Sequence, residues 1–222
     1  MSGRIHVVGI GGTGLSAIAR VLHERGEAVS GSDQAPSDYA RALEALGIPV
    51  TYGHAAANVV GARLVLATSA VAQDNPEILA AHQARIPVVR REAYFGELTA
   101  GYRTVAVAGT HGKSTTTAMI AWILSQAGRD PTFILGGVAV DLGTNARAGK
   151  GIEFIVEADE YDRAFLGLHP SVAVVTNIEH DHPDCYPTPA DFRSAFETFA
   201  GQVQDLLILC ADDPGAAALA PA

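Results

Sequence analysis

The run Val105-Ala106-Val107-Ala108-Gly109-Thr110-His111-Gly112-Lys113-Ser114-Thr115-Thr116-Thr117 has the residue types of a phosphate-binding turn between a strand and a helix. In such a turn, backbone amides cradle phosphate oxygens, the lysine neutralises the β/γ charge and the first hydroxyl ligates Mg²⁺. Gly109, Thr110, His111, Gly112, Lys113, Ser114 and Thr115 are therefore the candidate nucleotide contacts. The loop is the short G-x-x-G-K-S form, because Val107 stands where the longer pattern has its first glycine. Lys113 and Lys150 are the only lysines in the chain. A lysine so rare, placed at a helix start, is hard to read as a solvated surface charge.

A nucleoside triphosphate needs its metal held from a neighbouring strand. Two later apolar runs end in suitable groups. One leads into Glu157-Ala158-Asp159-Glu160, the other into Ile178-Glu179-His180-Asp181-His182-Pro183-Asp184. With Lys113, Glu157 and His182 form the expected catalytic set, and Ser114, Glu157 and His182 the expected metal ligands. Some charges in these segments are simply a solvated loop. A competing reading takes His180-x-His182-x-Asp184 as the front of a hydrolase metal motif, but Cys185 stands where the next histidine belongs.

A second glycine cluster, Gly9-Ile10-Gly11-Gly12-Thr13-Gly14, fits G-x-G-x-x-G between a strand and a helix. Its glycines let backbone approach a diphosphate, and the helix start offers free N–H groups. Asp33 follows at the end of the next strand, where a carboxylate can accept from a ribose or a base. NAD, FAD and UDP-sugars all fit this motif, and an NAD-dependent oxidoreductase is one class it permits.

These residues need strands and helices to place them. Strands are expected over 5–8, 28–30, 64–68, 87–89, 104–108, 132–135, 154–157, 172–177 and 206–210. Helices are expected over 15–25, 37–46, 76–84, 114–127 and 190–199. Several strands are apolar on both faces, which suits a parallel sheet covered by helices. The pattern predicts an α/β protein: a Rossmann-like domain over 1–99, then a P-loop domain over 100–222, both with mostly parallel sheets. The joint is the polar, small-residue stretch 97–102. The alanine-rich end, 215–222, follows a strand and turn, so the second domain is expected to stop in mid-sheet.

Composition narrows the classes. At 222 residues, with 48% hydrophobic and 18% charged, the chain can bury a core. A net charge of −9 argues against nucleic acid and against an acidic membrane surface as partners. Two cysteines are too few for a disulfide framework, which fits a reducing cytoplasm. No apolar run approaches the roughly 20 residues that span a bilayer, and the N-terminus lacks a signal-peptide layout.

Taken as an ordered set, these motifs resemble the Mur ligase family. The set is Gly9–Gly14, Gly31-Ser32-Asp33, Gly53-His54-x-x-x-Asn58-Val59, Thr68-Ser69-Ala70-Val71, Asn75-Pro76-Glu77, Gly109–Thr116, Glu157-Ala158-Asp159-Glu160 and Asn177-Ile178-Glu179-x-Asp181-His182. The resemblance spans essentially the whole chain. It implies that the first domain binds UDP-N-acetylmuramate, with Gly11, Gly12, Thr13 and Gly14 near its phosphates. Asp33 and His54 would lie toward the uridine, and Ser69 at a phosphate or sugar. It implies ATP and Mg²⁺ on the second domain, with Asn145 a weaker candidate near the phosphates. The implied chemistry is ATP-dependent amide formation through an acyl phosphate, joining L-alanine to the sugar nucleotide. The alternatives are a ligase that adds a peptide to the same sugar, or a module that binds without turnover. A carbamoylated lysine used by some members of that family has no counterpart, because no lysine follows Lys150. The resemblance also implies a third, C-terminal, amino-acid-binding domain beyond this sequence.

Overall fold

The computed structural model describes residues 3–220, which divide into two compact α/β units. One runs through Tyr94 and takes in Ala146–Ala148; the other holds Phe95–Asn145 and the residues from Gly149 onward. The division falls inside a helix, Arg91–Leu98, where a polar joint over 97–102 was expected.

The first unit alternates β1 (Arg4–Val8), α1 (Thr13–Glu24), β2 (Val29–Asp33), α2 (Asp38–Ala45), β3 (Val50–Tyr52), β4 (Ala62–Ala67), α3 (Pro76–Gln83) and β5 (Val88–Arg90); α4 (Arg91–Leu98) follows. Its five strands lie in the order β3-β2-β1-β4-β5, with every pairing parallel. The chain winds outward from β1 in both directions, so a crevice opens beyond the carboxyl ends of β1 and β4. Helix α1 buries Leu15, Ala17, Ile18, Ala19, Val21 and Leu22. On another patch Val8, Val59, Val65, Ala67, Ile78 and Ala81 pack together. Helix starts are capped as their sequences suggest. The Ser37 hydroxyl accepts from Ala40 N, and the Asn75 side chain accepts from Glu77 N just ahead of Pro76.

The second unit contains β6 (Arg103–Ala108), α5 (Lys113–Gln126), β7 (Thr132–Ala139), the start of β8 (Thr144–Arg147), β9 (Glu153–Glu157), β10 (Val172–Val175), α6 (Pro189–Gly201), β11 (Leu206–Leu209) and a short α7 (Pro214–Ala217). The sheet order is β11-β10-β6-β9-β7-β8. Strand β6 is central and pairs in parallel with β9 and β10, so the loops after these three strands emerge side by side. Ala121, Phe133, Leu135 and Ile155 form a core between α5 and the sheet. Phe165 stacks on Phe199 at 5.0 Å and meets Phe196 edge-on, and Tyr186 meets Phe192 at 4.9 Å. Each such ring contributes roughly 1.5–3 kcal/mol on leaving water. A reciprocal Thr188–Asp191 capping box starts α6.

Several expectations change; helix α4 is unanticipated and β7 runs on to Ala139. The strand expected over 172–177 ends at Val175, because Thr176 and Asn177 leave the ladder to bond the P-loop. Strands β3 and β8 were not anticipated: Val50–Tyr52 and Thr144–Arg147 are short and largely polar. The alanine-rich end contains a helical turn at Pro214–Ala217, whose start is capped by Asp213. Among the described residues no helix is long and apolar enough to cross a membrane. Cys185 and Cys210 are free.

Candidate functional site: a P-loop beside two acids

Strand β6 delivers the chain at Gly109 with φ 132°, a backbone conformation that side chains rarely adopt. A Cβ there would lie 2.1 Å from Thr176 Oγ1, so only glycine lets the loop close against the end of β10. The closure is a set of hydrogen bonds. Thr110 N donates to Asn177 O (3.0 Å) and His111 N to Asn177 Oδ1 (2.8 Å). Thr176 Oγ1 and Asn177 Nδ2 donate to His111 O at 2.6 and 3.0 Å. Thr110 Oγ1 donates to Glu179 O at 2.8 Å. The amides of Thr110 and His111 are thus turned to Asn177. The amides of Lys113, Ser114 and Thr115 belong to the first turn of α5, where a helix leaves N–H groups without intrahelical acceptors. Those three are the loop's natural anion donors. The His111 ring sits at the surface, 3.1 Å from Glu179 Oε2.

Lys113 reaches back over the loop. Its Nζ donates to Gly109 O (2.6 Å), Thr110 O (3.1 Å) and Glu160 Oε1 (2.9 Å). Glu160 is 1% exposed. Burial pushes its carboxyl above the ordinary range, and the hydrogen bond and charge of Lys113 pull it partly back. His182 Nε2 lies 3.8 Å from the same carboxylate and 3.8 Å from Asp181 Oδ2. The His182 backbone is left-handed (φ 53°), and its ring meets Tyr161 edge-on at 5.0 Å. The His182 N–H holds the Asp181 carboxyl below its usual range.

Glu157, at the end of β9, accepts from Ser114 Oγ at 3.0 Å and from Gly136 N at 2.7 Å. A Cβ on Gly136 would stand 2.6 Å from the carboxylate, so glycine is what allows β7 this close. A hydroxyl and a carboxylate side by side at a P-loop are hard oxygen donors of the kind Mg²⁺ takes. The residues present therefore fit that ion. Beside them a cleft of about 230 Å³ is lined by Ser114, Thr115, Ala118, Leu135 and Gly137–Ala139.

Of the expected residues, Lys113 and His182 converge on one carboxylate, while Glu157 meets Ser114. Glu160 is the member that motif reading passed over: it stands in the quoted Glu-Ala-Asp-Glu run with no role given to it. Thr176 and Gly136 were likewise missed, and only their tertiary neighbours reveal them. The hydrolase-type metal reading does not fit. His180 Nε2 is 2.8 Å from Tyr186 O and Asp184 accepts from Tyr161, so these side chains are used apart from one another.

In the first unit a cleft of about 520 Å³ lies beyond β1 and β4, lined by Gly9, Asp33, Gln34, His54, Thr68, Ala70–Ala72 and Asp74–Pro76. Asp33 and His54 are brought together here. Asp33 Oδ2 accepts from Gly11 N at 2.8 Å, so this carboxylate also braces the glycine turn. Gly11, Gly12, Thr13, Gly14 and Ser69 are not among the lining residues; Thr68 and Ala70 flank Ser69 there. Gly12 caps α1, and Thr13 and Gly14 open it. Beneath His54 lies Glu77, fully buried, which sequence reading did not single out.

Residues 107–221 match the Mur ligase middle domain, and residues 4–103 match the Mur ligase family catalytic domain. The chain belongs to the Mur ligase family. Among curated Mur ligases, the UDP-N-acetylmuramate–L-alanine ligase of Frankia alni is 48% identical over 97% of this chain and 38% of its own length. That of Roseiflexus sp. is 50% identical over 95% of this chain and 46% of its own. The chain thus spans less than half the length of these relatives. Among solved Mur ligase structures, the UDP-N-acetylmuramate–alanine ligase of Thermotoga maritima superimposes with a TM-score of 0.89 at 35% identity, covering 98% of this chain and 51% of that one. The Neisseria ligase for UDP-N-acetylmuramate and L-alanyl-γ-D-glutamyl-meso-diaminopimelate gives 0.90 at 29%, covering 99% and 74%.

Proposed function

We propose that this chain is the sugar-nucleotide- and ATP-binding part of a UDP-N-acetylmuramate–L-alanine ligase of peptidoglycan synthesis, acting in the cytoplasm. The observation that carries the reading is the identity of 46–50% to curated ligases of that name along nearly the whole chain. The peptide-adding ligase is the second reading, favoured by the equally close backbone match to the Neisseria enzyme but by a lower identity. We assign 1–99 to the sugar nucleotide and 100–222 to ATP.

In this reading the lactyl carboxylate attacks the γ-phosphorus of ATP. The bond to the β–γ bridging oxygen breaks, and ADP leaves. The amine of L-alanine then attacks the resulting acyl phosphate, phosphate departs, and the amine proton passes to solvent. Carboxylate and triphosphate repel each other, so the protein's task is positioning and screening. Lys113 supplies positive charge at the loop, and the first amides of α5 supply donors. Ser114 and Glu157 would hold Mg²⁺, with His182 as the further ligand; the ion would neutralise the phosphates and orient them. Gly11–Gly14 and Ser69 would face the diphosphate and sugar, and Asp33 and His54 the uridine.

The test is ADP release from this chain joined to the C-terminal remainder of the Frankia alni relative. Release that needs both UDP-N-acetylmuramate and L-alanine supports the reading. Release with the tripeptide but not with L-alanine replaces it by the second, and no release with either contradicts both.

A further inference from the structure

The buried acid below the first cleft has a use that cavity lining alone does not reveal. Glu77 has no exposed surface, yet four polar side chains converge on it. Ser32 Oγ donates to Oε2 at 2.6 Å, and Asn58 Nδ2 donates to Oε1. His54 Nδ1 lies 3.2 Å from Oε2, and His6 Nε2 3.7 Å from it. Burial alone would raise this carboxyl. The polar groups around it outweigh burial and hold it down at about 2, so at neutral pH Glu77 only accepts.

That settles where the neighbouring protons go. The Ser32 hydrogen lies on the short bond to Glu77, so Ser32 Oγ turns a lone pair to His54 Nδ1, 3.2 Å away. Both polar neighbours of Nδ1 are then acceptors, and the proton of a neutral ring must sit on Nδ1. Behind, Ser30 Oγ accepts from Arg4 Nε at 2.7 Å and can donate to His6 Nδ1 at 3.0 Å, which leaves the His6 Nε2 proton facing Glu77. We propose that Glu77 is a positioning residue that fixes the His54 proton on Nδ1, leaving Nε2 to the cleft as an acceptor for a nucleoside donor: a ribose hydroxyl or a base N–H. The ligand half of this rests on the sugar-nucleotide reading; the proton half does not.

The test is a long-range ¹H–¹⁵N spectrum of the histidines in the labelled chain, with His54 assigned through His54→Gln, alongside titration with UDP. The expected wild-type spectrum is that of the Nδ1–H form, and Ser32→Ala keeps it because Glu77 still accepts. Glu77→Gln, whose amide can donate to the ring, moves the proton to Nε2 and weakens UDP by about tenfold. A wild-type His54 carrying its proton on Nε2 overturns the proposal, and this outcome does not depend on Glu77→Gln folding. A tautomer change in Glu77→Gln with unchanged UDP affinity overturns the ligand half. A wild-type chain indifferent to UDP overturns the sugar-nucleotide reading itself, and the ligand-free spectrum tells that failure apart.

Discussion

The ammonium of Lys113 and the buried carboxylate of Glu160 meet at 2.9 Å, with the ammonium also held by two carbonyls of its own loop. Lys113 is therefore held in place by an acid that follows a different strand. Removing only one member leaves the other uncompensated. Lys113→Met is expected to destabilise the fold by about 3 kcal/mol at pH 8, and Lys113→Met/Glu160→Gln to recover most of that loss. Equilibrium urea unfolding of the three proteins checks this.

The same pair sets a pH dependence. Because the folded-state carboxyl of Glu160 is raised, the native protein binds this proton more tightly than the unfolded chain. The contribution is full below the unfolded value of 4.5 and is lost as pH rises through the folded value. Without the lysine the folded value climbs further. Lys113→Met should thus lose more stability than wild type as pH rises from about 4.5, and parallel stability–pH curves would contradict the account.

Glu77 has the opposite sign. Its carboxyl is lowered from 4.5 to about 2, so its stabilisation is complete above 4.5 and disappears as pH falls toward 2. The gap in unfolding free energy between wild type and Glu77→Gln is expected to shrink by about 3 kcal/mol over that window. Denaturant titrations at a series of pH values measure it.

Gly136→Ala places a methyl against Glu157, 2.6 Å from its oxygen, whereas a Cβ at Gly201, at the end of α6, meets nothing within 4 Å. Gly136→Ala should weaken Mg-ATP by about tenfold, and Gly201→Ala should leave it unchanged. Calorimetric titration compares them; equal affinities would mean that the position of Glu157 does not matter to nucleotide binding.

Much of this architecture was readable along the chain. Apolar runs such as Val172-Ala173-Val174-Val175 and capped helix starts such as Thr188-Pro189 are local signals, and the two glycine turns mark where parallel strands hand over to helices. Local signal failed where partners decide. Thr144–Arg147 becomes a strand only because the sheet offers it an edge, and Thr176 looks like strand until the P-loop competes for its hydroxyl. Lys113, Ser114 and Glu157 are candidates by type and spacing, and Ser114 and Glu157 do meet in the fold. Glu160 and Glu77 carry no such local signal, because what sets them apart is their burial and the donors that reach them from distant segments.

In the proposed reading the turn over 109–115 holds a magnesium nucleotide through the charge fixed at Lys113. Titration of Mg-ATP into the wild-type chain and into Lys113→Met/Glu160→Gln, where the pair is removed together, checks this. Saturable binding by wild type that weakens at least about a hundredfold in the double variant is the predicted result. Equal affinity in the two proteins, or no binding by wild type, would contradict it.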